Sequence, residues 1–182
     1  MTTHETGITG LILLEPKVFG DNRGYFLESF NHRRFEDAVG DQVNFVQDNE
    51  SCSEKNVLRG LHFQHPPFAQ GKLVRVVQGA VLDVAVDIRV NSATYGKHFA
   101  VELNAENKLQ LWIPPGFAHG FVSLFDNTIF QYKCTDYYSP ENEGCILWSD
   151  QSLNIDWRIK DPKISEKDKN GLNFADFRSP FK

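Results

Sequence analysis

Between Leu82 and Val90 the chain alternates: Leu82, Val84, Val86, Ile88 and Val90 are apolar, while Asp83, Asp87 and Arg89 take the other parity. A period of two sends successive side chains to opposite faces of a β-strand. Phe99, Val101 and Leu103 repeat the pattern, as do Leu109, Leu111 and Ile113. Turn formers punctuate these runs at Gly20-Asp21-Asn22, Gly71, Gly79, Asn91-Ser92, Asn104-Ala105-Glu106-Asn107 and Pro114-Pro115-Gly116. Many short strands at such spacing predict an antiparallel sandwich or barrel. Helical signals are few. Asn31 can cap a short helix through Phe35 and Ala38 that stops at Gly40, and Ser165-Glu166-Lys167-Asp168 can open another. With no repeat, low-complexity tract or linker, residues 1–182 read as one all-β domain with a few short helices.

The 182 residues, 41% hydrophobic and 24% charged, suit a globular chain with a real core. A formal net charge of −5 argues against a nucleic-acid polymer as partner, though a local basic pocket for one small anion stays open. Fifteen Phe, five Tyr and three Trp suit a dense core or a ring-stacking site. Cys52, Cys134 and Cys145 form no CxxC pair, so neither a disulfide framework nor a zinc knuckle is expected. The apolar stretch Leu11 to Leu14 is too short for a secretory signal and runs into Glu15-Pro16. Val74 to Val90 is interrupted by Asp83 and Asp87, so no membrane span is expected and a cytoplasmic setting follows.

Two clusters could carry chemistry. Val57-Leu58-Arg59-Gly60-Leu61-His62-Phe63-Gln64-His65 precedes Gly71-Lys72-Leu73-Val74-Arg75. On a regular strand Arg59 and Leu61 face one way and His62 and Gln64 the other, so a pocket shared by Arg59 and His62 needs twist or a bulge near Gly60. Trp112-Ile113-Pro114-Pro115-Gly116-Phe117-Ala118-His119-Gly120-Phe121 places His119 after a proline-glycine turn, at the start of an apolar strand. Together the clusters resemble the two cupin motifs, which implies a double-stranded jelly roll. The metal-binding form of those motifs has His-x-His and a following carboxylate. Here His62 and His65 stand three apart and Lys72 lies where the acid would be, so neither metal nor cofactor is expected.

Longer segments narrow the likeness. Phe19 through Glu28, Phe45 through Asn49, Leu58 through Gln64, Gln70 through Arg75, Asp83 through Arg89 and Tyr132 through Pro140 resemble the dTDP-4-dehydrorhamnose 3,5-epimerases. The resemblance runs from about Gly10 to Asp168; Ser165 to Asp168 fits loosely, and the tail after Gly171 matches nothing.

The resemblance implies a cofactor-independent isomerase acting on a dTDP-linked 4-keto-6-deoxyhexose, on the route to dTDP-L-rhamnose for surface polysaccharide. It gives His62 the role of base, Asp168 that of its orienting partner, and Tyr132 that of acid on the opposite face. Lys72, and His119 with Asp83 behind it, would stabilise an enolate. Arg23 and Arg59 would hold the diphosphate; Glu28, Gln47, Asn49, Glu143 and Lys167 would touch substrate; Tyr138 would stack on thymine. A homodimer is implied, with residues around Arg23 and Glu28 completing the neighbour's site.

Blander readings stand beside these. Ser165-x-x-Asp168 is also a capping box. Asp21-Asn22-Arg23-Gly24 makes a plain hairpin turn, Glu28 an exposed strand carboxylate, and His119 a structural histidine in a pre-strand turn. Tyr137 should face away from Tyr138 on a strand, and Asp48 away from Gln47 and Asn49. Competing functions are a single-carbon epimerase or ketoisomerase, a metal cupin oxygenase, and a non-catalytic sugar-nucleotide binder.

Overall fold

The alternating segments of the sequence are strands in the computed structural model, which describes residues 1–182. The chain opens with β1 (Thr2–Glu5), β2 (Ile12–Glu15), β3 (Val18–Asp21) and β4 (Gly24–Leu27), then helix α1 (His32–Val39). There follow β5 (Gln47–Ser53), β6 (Val57–Gln64), β7 (Lys72–Gln78), β8 (Ala80–Asp87) and β9 (His98–Asn104). Next come β10 (Gln110–Ile113), β11 (Phe117–Ser123) and β12 (Thr128–Cys134). A 3-10 turn (Pro140–Asn142), β13 (Glu143–Cys145), β14 (Lys163–Ile164) and α2 (Glu166–Lys169) complete the elements.

One sheet runs β1-β2-β10-β7-β12-β5, the other β13-β6-β11-β8-β9. Pairing is antiparallel except where β14 joins β6 in parallel. From β5 to β13 the chain crosses to the other sheet at every connection but β8–β9. That alternation makes a double-sheet jelly roll, the expected architecture. At the β7–β8 corner Gly79 takes φ +78°, and a Cβ there would lie 2.4 Å from Thr128 Oγ1, so the crossing needs glycine. No helix is long and apolar enough to cross a membrane.

Three apolar layers hold the sheets. Between them pack Val74, Val76 and Phe130 of the first sheet against Val81, Ala85, Leu103, Phe117 and Phe121 of the second. Outside the second sheet, Leu58, Leu61, Leu82, Val84, Val86 and Val122 are covered by Ile146, Leu153, Trp157 and Phe177. Outside the first, Leu14, Leu73 and Trp112 are covered by Phe35 of α1 and by Val43. The helix follows its sequence signals: Asn31 Oδ1 accepts from Arg34 N, and Gly40 ends it at φ +73°.

Every residue of β8 is buried, its second face looking into the space between the sheets. One sequence expectation is corrected. Tyr137 and Tyr138 are not on a strand: β12 stops at Cys134, and the chain leaves the ladder before the Pro140 turn.

Candidate active site

Between the sheets, at one end, lies a cavity of about 550 Å³ lined by Ser51, Arg59, His62, Lys72, His119, Phe121, Phe130, Tyr132, Lys167 and Asp168 among others. A second cavity of about 250 Å³ shares His62, Lys72 and Tyr132 and adds Gln47, Asn49, Tyr138 and Glu143. The first size is what a ligand of several hundred daltons needs.

Arg59 and His62 both reach this space because β6 bulges. His119 pairs with His62 and Phe121 with Arg59, so three steps along β6 face two along β11. Gly60, at φ +135°, sits in the bulge; a Cβ on it would lie 2.5 Å from Gly120 Cα and 2.9 Å from His119 O. A Cβ on Gly120 would in turn meet Arg59 O at 2.7 Å. The paired glycines let the two strands close together there.

His62 Nε2 lies 2.7 Å from Asp168 Oδ1. Asp168 Oδ2 accepts from Gly60 N at 3.3 Å, and Asp168 N donates to Ser165 Oγ at 3.1 Å. The capping and pairing readings of Asp168 thus both hold: its backbone closes α2 while its buried carboxylate holds the imidazole. Burial alone would raise the Asp168 carboxyl, but the His62 ring and the Gly60 and Ser165 hydrogen bonds keep it below its ordinary value. With Nε2 turned to Asp168, Nδ1 is the nitrogen left for proton exchange (tautomer assigned from the hydrogen bond).

His119 Nε2 lies 2.9 Å from Asp83 Oδ2, both residues buried. His119 is the third residue of β11 and not part of a pre-strand turn. Tyr132, on β12, projects from the opposite sheet to His62, so phenol and imidazole face each other across the space. Burial pushes the Tyr132 phenol up, with Cys134 adding and Arg59 opposing. It is a proton donor throughout the neutral range. The Lys72 amine is lowered by burial, against the pull of Cys134, Glu143 and Asp83, and sits 5.9 Å from the Tyr132 ring centroid.

At the adjoining end, Tyr138 OH donates to Glu143 Oε2 at 2.7 Å, and Lys167 Nζ bonds the same carboxylate. Burial would raise Glu143, but Lys167, Tyr138 and nearby His62 hold it below the usual carboxylate range. Gln47 accepts from Tyr138 N at 3.0 Å and donates to Asn49 Oδ1 at 2.9 Å. Asp48 points outward and pairs with Lys133 at 2.9 Å, as alternation requires. Arg59 donates through Nε to Ser53 Oγ at 3.2 Å.

Of the residues given catalytic or substrate-binding roles from sequence, Arg23 and Glu28 lie outside both cavities, and Asp83 stands behind His119 without lining either. Arg23 is bound to Asp21 at 2.6 Å in the β3–β4 turn, and Glu28 to Arg34 at 2.5 Å. Sequence reasoning missed Ser51 and Cys145. Ser51 was within reach, since it follows Gln47 and Asn49 at the same two-residue spacing. Cys145 had no signal, because it arrives beside the pair through the β13–β6 pairing with His62.

His62, Cys145 and Asp168 offer ligand-type atoms within 4.8 Å of one another. The thiol is pushed up to about 12, by burial first and then by Asp168 and Glu143. Of these atoms, His62 Nε2 and Asp168 Oδ1 are already bonded to each other at 2.7 Å.

The matching family model is described as dTDP-4-dehydrorhamnose 3,5-epimerase and covers residues 5–176. A dTDP-4-dehydrorhamnose 3,5-epimerase of Shigella flexneri is 58% identical over 176 residues, 97% of each chain. A crystal structure of the enzyme of that name from Elizabethkingia anophelis NUHP1 superposes with a TM-score of 0.93 at 48% identity, covering 97% of both chains. The dTDP-6-deoxy-D-glucose-3,5-epimerase of Legionella pneumophila Philadelphia 1, solved with dTDP-4-keto-L-rhamnose, also gives 0.93 at 48% identity, over 97% of this chain and 94% of that one. With its jelly roll, its facing imidazole and phenol and this agreement along nearly its whole length, the chain belongs to the dTDP-4-dehydrorhamnose 3,5-epimerase family.

Proposed function

We propose that the cavity binds a dTDP-linked 4-keto-6-deoxyhexose and inverts it at C3 and C5 through enolates, with His62 as base and Tyr132 as acid. The observation that carries this reading is the placement of His62 and Tyr132 on facing sheets around one space. The C4 carbonyl acidifies the protons on C3 and C5, because the electron pair left behind moves onto oxygen. His62 Nδ1 takes the proton from one face while Asp168 stabilises the imidazolium that forms, as a triad aspartate does. Tyr132 then delivers its phenolic proton to the other face of the same carbon. Lys72, with His119 held by Asp83, stabilises the enolate oxygen. His62 then releases its proton to solvent and Tyr132 regains one from it, and repetition at the second carbon completes the change from the D-xylo to the L-lyxo sugar.

Arg59 would hold the diphosphate and Tyr138 the thymine ring, with Gln47, Asn49, Glu143 and Lys167 along the path between. Arg23 and Glu28 enter as the contribution of a second subunit in a homodimer. The support is the β3–β4 hairpin, which belongs to neither main sheet and leaves Phe19, Tyr25 and Phe26 between 53% and 65% exposed. So large an apolar strip on a free-standing ribbon needs a cover.

The test is incubation of the keto sugar nucleotide with the protein in deuterium oxide, followed by NMR of the product. Incorporation at both C3 and C5 with inversion is expected; a label at one carbon alone would demote the chain to a single-carbon epimerase.

A further inference from the structure

We infer that Ser51 is a specificity-determining contact to a hexose hydroxyl of the substrate, an inference that rests on the proposed function. Ser51 lines the larger cavity together with Arg59, His62, Lys72, His119 and Tyr132. It lies on the same face of β5 as Gln47 and Asn49, and it pairs across the ladder with Phe130, two residues from Tyr132. Its hydroxyl is shielded from solvent and has no hydrogen-bond partner, one of two side-chain polar atoms in the protein in that condition.

A buried hydroxyl without a partner is costly, and in native folds it calls for a reason. Nothing around Ser51 in the fold supplies one: Arg59 gives its Nε to Ser53 instead, and Asn49 is engaged with Gln47 and Cys134. The residue lines the cavity that His62 and Tyr132 also line, so a hydroxyl of the ring bound there is the partner its oxygen lacks. The base end lies the other way along β5, where Gln47 bonds the Tyr138 backbone, whereas Ser51 shares its cavity with His62, Lys72 and Tyr132, the groups that act on the ring. A hydroxyl at Ser51 therefore reads the sugar and not the base. A serine both donates and accepts, which matches an unreacting ring hydroxyl.

The Ser51→Ala variant tests this with three readouts. Expected are a 5- to 10-fold loss in kcat/KM with the keto sugar nucleotide, carried mainly by KM, and dTDP affinity within twofold of wild type. Because the lost hydroxyl has no partner in the fold, Tm should stay level or rise. An unchanged kcat/KM while the wild type turns over normally would overturn the inference and leave the proposed function standing. An equal loss of dTDP affinity would move the contact to the phosphates and overturn the sugar assignment. A Tm several degrees lower would make the residue structural and overturn it too. If the wild type itself failed to act on the sugar nucleotide, the proposed function would be what fell.

Discussion

The backbone N–H of Asp168 donates to Ser165 while its carboxylate accepts from His62 and Gly60, and the two halves of the residue can be tested apart. Asp168→Asn keeps the cap and nearly the same shape but removes the charge facing the imidazolium. Thermal stability should change little, and kcat should fall about 100-fold or more, the scale of positioned acid–base catalysis. Thermal melts beside steady-state rates check this. A variant with full kcat would reduce Asp168 to its capping role. The sequence alone left both roles open, because a Ser-x-x-Asp spacing is identical in the two cases and only the fold brings His62, more than a hundred residues away, to 2.7 Å.

At the level of elements, the β6 bulge decides which side chains reach the substrate. Gly60→Ala sets a Cβ against Gly120 Cα, and backbone cannot yield as a side chain can. A loss of about 2–4 kcal/mol in stability is expected, with catalysis damaged further because Arg59 and His62 lose their shared face. Denaturant midpoints and rates on the surviving folded protein measure the two effects. The sequence stated the need for this bulge without fixing its form, since strict alternation separates Arg59 from His62.

The turn after β8 depends on Asp87, which accepts from Arg89, Ser92 and Thr94. Burial opposes its charge, but these bonds lower the carboxyl to about 2. A folded value below the unfolded ~3.9 gives stability that is full above the unfolded value and is lost as pH falls through about 2. Asp87→Asn should therefore cost about 2 kcal/mol at neutral pH, some 4–8 °C in Tm, and flatten the melting curve's acid dependence between pH ~4 and ~2. Melts across that range decide it; an unchanged acid limb would mean that another carboxylate governs it.

Over the whole molecule, alternation and turn residues made the jelly roll legible, since each strand carries its own period. What stayed hidden was the covering of the outer faces. Trp157, Phe174, Phe177 and Phe181 come from a C-terminal stretch with no period at all, yet they pack on or beside the outer face of the second sheet. Irregular chain leaves no local pattern, and its place is set by the surface it covers. The same reasoning applies to the exposed β3–β4 hairpin, for which we propose a second subunit as the cover. Sedimentation should report a dimer, and Phe26→Asp should yield monomer with little activity. Mixing inactive Arg23→Ala and His62→Asn proteins should restore turnover, because one mixed dimer can assemble one intact site. No recovery on mixing, with dimers present, would place Arg23 outside the partner's site.

The claim beneath all of this is that proton removal and proton delivery come from His62 and Tyr132 on opposite sides of one sugar ring. It is tested most directly by counting deuterium at C3 and C5 with His62→Asn and Tyr132→Phe beside the wild type. We predict no exchange at either carbon for His62→Asn, and for Tyr132→Phe exchange that persists while inversion fails, because a base can return a proton to its own face. Wild-type exchange and turnover in His62→Asn would contradict the account.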